Sequence, residues 1–365
     1  MKNEISPSRV IVKALCLFVL LNLLYGLSEP QGARVSGYNV LFPGRTRLPF
    51  GMVGDPYTVT VDDVDAMFAS HLIAKPRLPG EYRIALIGDS SVWGEGLGAD
   101  QVISEQWNQM NIGCRGQTIR TFNLGYPHPS VVKDLVILDK ALEYEPDLII
   151  WFVTLNTLIS QRVNPFLVAN RGRTVEVLSA YDISFKQGKK MAESEPNFLE
   201  KTLIGQRSNL ARMIKLQMLG IIWTATGADT NTLAEDDPPD LDIGDDPRYR
   251  GMEPSEDIKD LLLFGALSAG YDIADPIPVL IVNEPMFIAP GADSGVRYNA
   301  GYPRWAYDQY REAMTAQAQS AGWNYEDLWN TIPPKYFLDA SLHLGAEGER
   351  LLIEQISPAV QSICN

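Results

Sequence analysis

The chain has 365 residues, 45% hydrophobic and 21% charged, with 31 basic against 45 acidic side chains and a formal net charge of −14. That length buries a sizeable core, and the acidic balance leaves no basic patch to neutralise phosphates, which argues against nucleic acid as a partner. Three cysteines without ligand spacing and only three histidines argue against zinc; no metal and no cofactor are expected.

Residues 1–28 carry the first element. Val10 to Leu27 is predominantly apolar, broken by Lys13 and Asn22. As a helix it spans roughly 27 Å, close to the ~30 Å of a hydrocarbon core. Lys2, Arg9 and Lys13 precede or open the run, so the positive-inside rule keeps the N-terminus cytoplasmic and sends the body across. Two readings stay open: a signal anchor holding the protein in the membrane through residues 10–27, or a signal peptide cleaved near Gly26-Leu27-Ser28 and a secreted body. Both place the body outside the cytoplasm. There Cys114 and Cys364 either form one disulfide or remain two thiols.

Residues 29–80 are rich in Gly and Pro and read as a linker that packs on the surface of the larger domain after it. Within it Tyr57 to Val61 alternates like a strand. Asp62 caps a short helix containing Val64, Met67 and Phe68, and His71 near its end is expected to be structural.

An α/β domain is expected over 81–365. Arg83-Ile84-Ala85-Leu86-Ile87 reads as a buried strand that breaks at Gly88-Asp89-Ser90, with Gly94 four positions on. A helix comes next over Val102 to Met110. A second strand, Thr118 to Asn123, ends at Leu124-Gly125-Tyr126-Pro127, with His128 close enough to line a pocket mouth. Ser130 to Tyr144 has helical spacing (Val131, Leu135, Leu138, Leu142). Leu148 to Val153 is a buried strand running into Thr154-Leu155-Asn156-Thr157. About 160–275 is an insertion too long for an ordinary connection. It holds a helical stretch, Asn197 to Thr224, an acidic loop around Asp240 and Asp242, and a helix over Ser255 to Gly270. Ile277 to Pro285 returns to the sheet, Trp305 to Ala321 is an amphipathic helix, and Trp323 to Leu328 is a last short strand. Asp339 and His343 then precede a helix that begins near Glu349.

Gly88-Asp89-Ser90 with Gly94 resembles the first block, Gly-Asp-Ser-x-x-x-Gly, of the SGNH/GDSL hydrolases. Gly125 and Asn156 stand in the order of that family's second and third blocks, with Thr154 and Thr157 replacing the third block's glycine and aspartate. Asp339 and His343 resemble its last block, though four residues apart rather than three, with Ala340 at the usual aspartate position. The resemblance implies a three-layer α/β/α sandwich on a mostly parallel, flavodoxin-like sheet. It makes Ser90 the nucleophile, His343 its base, and the Ser90 and Gly125 N–H groups with the Asn156 amide the oxyanion hole. The spacing leaves two possibilities for the base: Asp339 orients the ring, or His343 works with backbone or water support alone.

Chemistry agrees with that set. A serine hydroxyl needs a base to become a nucleophile, imidazole has the pKa to serve, and a carboxylate fixes its tautomer. Two functions fit these residues. One is an extracytoplasmic serine ester hydrolase or O-acyltransferase acting through an acyl-enzyme on a small-molecule or polysaccharide ester, such as envelope polysaccharide acetyl groups. The other is a catalytically inactive scaffold of the same fold that binds glycan or anchors an envelope complex.

Overall fold

The computed structural model describes residues 6–28, 30, 37–41, 43–51, 61–159, 162–193, 197–226, 243–290 and 293–365. Most of the strand expected at 57–61, and the Asp240 and Asp242 pair, lie outside them.

Among the described residues six strands form one sheet: β1 Glu81–Ile87, β2 Gly113–Cys114, β3 Gln117–Asn123, β4 Leu148–Val153, β5 Val279–Asn283 and β6 Asn324–Asp327. Their order is β2-β3-β1-β4-β5-β6. All pairings are parallel except the edge pair β2–β3. Without that edge hairpin the parallel strands run 2-1-3-4-5, a doubly wound order of the flavodoxin-like kind that the resemblance implies. Winding reverses at β1, which has β3 on one side and β4 on the other. A crevice therefore opens beyond the carboxyl ends of these strands, where Ser90, Gly125 and Asn156 stand.

The central strands are apolar throughout because both faces are covered. Ile84, Leu86, Ile150, Phe152, Leu280 and Val282 face the helices Ile103–Gln109 and Ala346–Cys364. Ala85, Ile87, Ile149, Trp151 and Ile281 face Val131–Leu142, Phe264–Ala274 and Arg304–Ala321. Each fully buried aliphatic or aromatic side chain contributes about 1.5–3 kcal/mol. Cys114 on the edge hairpin and Cys364 at the end of the last helix are joined in a disulfide, with Cα atoms 5.3 Å apart. Of the two states the sequence allows for these cysteines, the structure has the bonded one.

Several expectations change. Residues 43–51 and 61–80 are more than a surface segment: Leu48, Met67, Phe68 and Ile73 are fully buried in the main core. The helix Val64–Ser70 is capped by Asp63, not Asp62. Asp62 instead accepts from Tyr126 and Arg212. The stretch Asn197 to Thr224 is two helices, Phe198–Lys201 and Arg207–Thr226. The helix expected from Ser255 begins only at Phe264, because Leu263 N–H is drawn to the Leu158 carbonyl. Parts of the insertion belong to the core, with Phe166, Leu167, Ala266 and Leu267 buried. At the N-terminus a helix runs over Pro7–Ser28, and among the described residues it alone is long and apolar enough to cross a membrane.

Candidate active site

Strand β1 delivers the serine. The strand ends at Ile87, and Ser90 opens a one-turn helix, Ser90–Trp93, whose cap is Asp89. Ser90 Oγ lies 2.8 Å from His343 Nε2, and His343 Nδ1 lies 2.6 Å from Asp339 Oδ2. The four-residue spacing is accommodated by wrapping the loop around the carboxylate. Asp339 Oδ1 accepts the N–H groups of Ser341, Leu342 and His343 at 2.9, 3.1 and 3.2 Å, leaving Oδ2 for the ring. An antiparallel bridge between Phe337 and Leu344 closes the base of this loop.

The electrostatics favour a chargeable imidazole. Burial alone would lower the His343 pKa, but the hydrogen bond and charge of Asp339, with Glu95 and Asp89 beyond, hold it above its ordinary value. For Asp339, burial pushes up, and the His343 bond and charge with the backbone N–H groups of His343 and Ser341 pull the carboxyl below its usual range. Glu95 Oε2 stands 3.6 Å from Nε2, the nitrogen that faces Ser90. A second carboxylate therefore meets the imidazolium when the ring takes a proton.

Gly125 and Asn156 are less simply placed. Gly125 abuts the serine turn so closely that a Cβ would stand 2.5 Å from the Trp93 nitrogen, so only glycine fits. Its N–H is engaged by Asn123 Oδ1 at 3.0 Å, and Asn123 Nδ2 donates to the Val92 carbonyl at 2.6 Å. Asn156, in the short helix Leu155–Ile159 beyond β4, has its Oδ1 taken by the Tyr249 hydroxyl at 2.7 Å and by Arg250 Nη2 at 3.0 Å.

Behind the site lie residues that the sequence does not mark as functional. Helical spacing makes Lys133 a polar residue between apolar positions, yet it is fully buried. It donates to the carbonyls of Gly88 at 2.8 Å and Tyr126 at 2.6 Å and pairs with Asp134 at 2.6 Å. It thereby ties the serine turn to the loop after Gly125. Burial pushes the Asp134 carboxyl up to about 6 against the pull of Lys133. Arg47 is equally buried, donates to the carbonyls of Trp93, Gly94 and Leu97, and stacks over the Trp93 ring. No local pattern marks either residue, since each acts on chain far away in sequence.

A buried acidic group lies beneath the turn. Ser91 Oγ contacts both Asp89 and Glu284. One hydroxyl proton cannot serve two carboxylates, so one carboxyl must keep its own. Burial, with Asp89 nearby, raises Glu284 well above the usual range and makes it the protonated one. Glu349, raised by burial, joins it in lining a cavity barely large enough for one water. Glu284 is therefore a buried support, and Asn299 is likewise buried in its own loop, bonded to Phe287, Gly301 and Tyr302.

His71 is structural, 1% exposed, with ring nitrogens toward the Thr46 carbonyl and the Ile73 N–H. His128 packs edge-on to Phe50 and Tyr126 with a left-handed φ of 91°. Among the described residues no cluster of three or more His, Cys, Asp or Glu is placed to hold a metal ion.

No family model and no curated protein matches the chain. Solved structures similar to it include a carbohydrate acetylesterase family member from Sinorhizobium meliloti, 13% identical, covering 77% of this chain and 98% of its own, with a TM-score of 0.34. A lipase/acylhydrolase from Enterococcus faecalis is 15% identical, with coverages of 77% and 96% and a TM-score of 0.35. A phospholipase A1 from Streptomyces albidoflavus is 12% identical, with coverages of 77% and 98% and a TM-score of 0.32. In sheet order and block order the chain resembles the SGNH/GDSL hydrolases.

Proposed function

We propose that the protein is a serine-dependent acyl-ester hydrolase or O-acyltransferase. The observation that carries this reading is the hydrogen-bonded line Ser90–His343–Asp339 at the mouth of the sheet's switch point. Ser90 Oγ attacks the ester carbonyl while His343 Nε2 takes its proton. The C–O bond to the leaving alcohol then breaks as His343 returns that proton to it, leaving an acyl group on Ser90. Water or a sugar hydroxyl, deprotonated by the same ring, accepts the acyl group and frees Ser90. The Ser90 N–H, the Asn156 amide and the Gly125 N–H, shared with Asn123 Oδ1, are the oxyanion donors in this reading.

An apolar N-terminal helix and a disulfide support a membrane-held body in an oxidising compartment outside the cytoplasm. Envelope polysaccharide acetyl esters are the substrate class suited to that address. The inactive-scaffold reading has no observation in its favour at the Ser90–His343 contact.

Mass spectrometry of the detergent-solubilised full chain, quenched during turnover of p-nitrophenyl acetate, tests the proposal. An adduct of about 42 Da, the mass of an acetyl group replacing the hydroxyl proton, is expected on the Ser90 peptide. Turnover that persists in Ser90→Ala would refute it. Asn156→Ala should lower kcat by about 10²–10³, the usual loss for an oxyanion donor, and a loss below about threefold would remove Asn156 from that role.

A further inference from the structure

An asparagine donor in an oxyanion hole has to be held the right way round. Its amide presents N–H groups at one end and a carbonyl at the other, nearly identical in shape. A reversed amide would aim a carbonyl at the developing negative charge. Neighbouring residues do not decide the matter here, since the Thr157 hydroxyl is turned to Thr154 Oγ1 at 3.1 Å.

The long insertion supplies the missing constraint. Arg250 Nη2 and the Tyr249 hydroxyl both reach Asn156 Oδ1. A guanidinium has donors only, so the amide end facing Arg250 must be the carbonyl, and Nδ2 is left for the other side. Both residues sit on a tight turn with reciprocal bonds, Tyr249 N–H to the Met252 carbonyl at 3.0 Å and Met252 N–H to the Tyr249 carbonyl at 2.9 Å. Arg250 and Gly251 have φ of 52° and 87°, the type I′ pattern. Glycine takes such a φ freely, whereas arginine does so at a cost. The strain falls on the residue whose side chain meets Asn156.

This turn is fastened to the domain. Tyr249 is 3% exposed. Arg297 donates to the Asp246 carbonyl at 2.6 Å, and Trp305 Nε1 to the Pro247 carbonyl at 2.6 Å. Burial pushes the Tyr249 hydroxyl up to about 12, which keeps it a neutral donor over the working pH range.

We infer that Tyr249 and Arg250 are positioning residues that lock the Asn156 amide for oxyanion binding, so that the insertion completes the active site; this rests on the hydrolase reading above. The test is a double-mutant cycle on the detergent-solubilised full chain, with p-nitrophenyl acetate as probe. Arg250→Ala should lower kcat roughly tenfold with KM changed less than about twofold, and Arg250→Lys, a donor-only replacement, should recover part of the loss. The double variant Asn156→Ala/Arg250→Ala should be no slower than Asn156→Ala alone. Multiplicative losses, or a change confined to KM, would overturn the inference and make Arg250 a substrate contact. The same cycle read by urea midpoint should also be non-additive, and additive midpoints would deny the contact itself. Wild-type protein inert toward the ester, with coupled midpoints, would refute the hydrolase reading and reduce the contact to a structural one.

Discussion

At the scale of single residues the site depends on how charge is distributed around one imidazole. Asp339 and Glu95 flank His343 and hold its pKa above the ordinary value. The base must be neutral to act, so kcat/KM should rise with pH through an apparent pKa above 6.5. Asp339→Asn removes the nearer charge and the tautomer lock. It should cut kcat by about 10³–10⁴ and move the acid limb to lower pH; an unmoved limb in a pH–rate profile would contradict the pairing. The buried acids give a second expectation. Glu349 has a raised pKa in the folded chain, so the native state binds more protons than the unfolded state between the unfolded value and the folded one. Its contribution is full below the unfolded pKa and is lost as pH rises. Glu349→Gln should therefore raise the thermal midpoint at about pH 8 more than at about pH 5, and calorimetry at both values checks the sign.

Among the elements, what matters is how distant pieces are tied to the site, Arg47 and Lys133 to the serine turn and the insertion to Asn156. Arg47 comes from a segment before β1, Lys133 from the helix after β3, and Tyr249 with Arg250 from the insertion. Removing one partner of a buried charge pair leaves the other uncompensated, at a cost of about 3–5 kcal/mol. Lys133→Met strands Asp134 in this way and also removes a donor from the Gly88 and Tyr126 carbonyls. A clear drop in the urea midpoint is expected, and an unchanged midpoint would show that the pair carries no stability. Losing the Cys114–Cys364 disulfide, whose cysteines are 250 residues apart, should cost about 2–5 kcal/mol. A melting point insensitive to reductant would contradict its formation. The contrast in legibility is physical. Strands β1 and β4 can be read because their apolar runs end at local turn signals, and Ser90 stands at one of those ends. His343 can be read because it precedes the last helix. Arg47, Lys133 and Arg250 cannot, since each is a charged residue whose burial or partner is set by chain 45 to 94 residues away. The Asp339 pairing lies between the two cases. The family resemblance suggests it and the four-residue spacing leaves it open; the three N–H groups of the loop explain how the extra residue fits.

For the molecule as a whole, the doubly wound sheet puts the candidate nucleophile, base and oxyanion groups around one crevice although they span most of the chain. The class of the sheet is legible because a parallel sheet with both faces covered writes itself as alternating apolar runs and helical periods. The insertion is legible as an interruption but not as a participant, because its buried parts carry no period that distinguishes core from surface. The most direct test of a catalytic role is labelling of the detergent-solubilised full chain by a fluorophosphonate, with Ser90→Ala and His343→Ala alongside. Labelling of wild type that disappears in both variants is the expected result. Folded wild-type protein that takes no label, or label retained by Ser90→Ala, would contradict it and return the fold to a non-catalytic role.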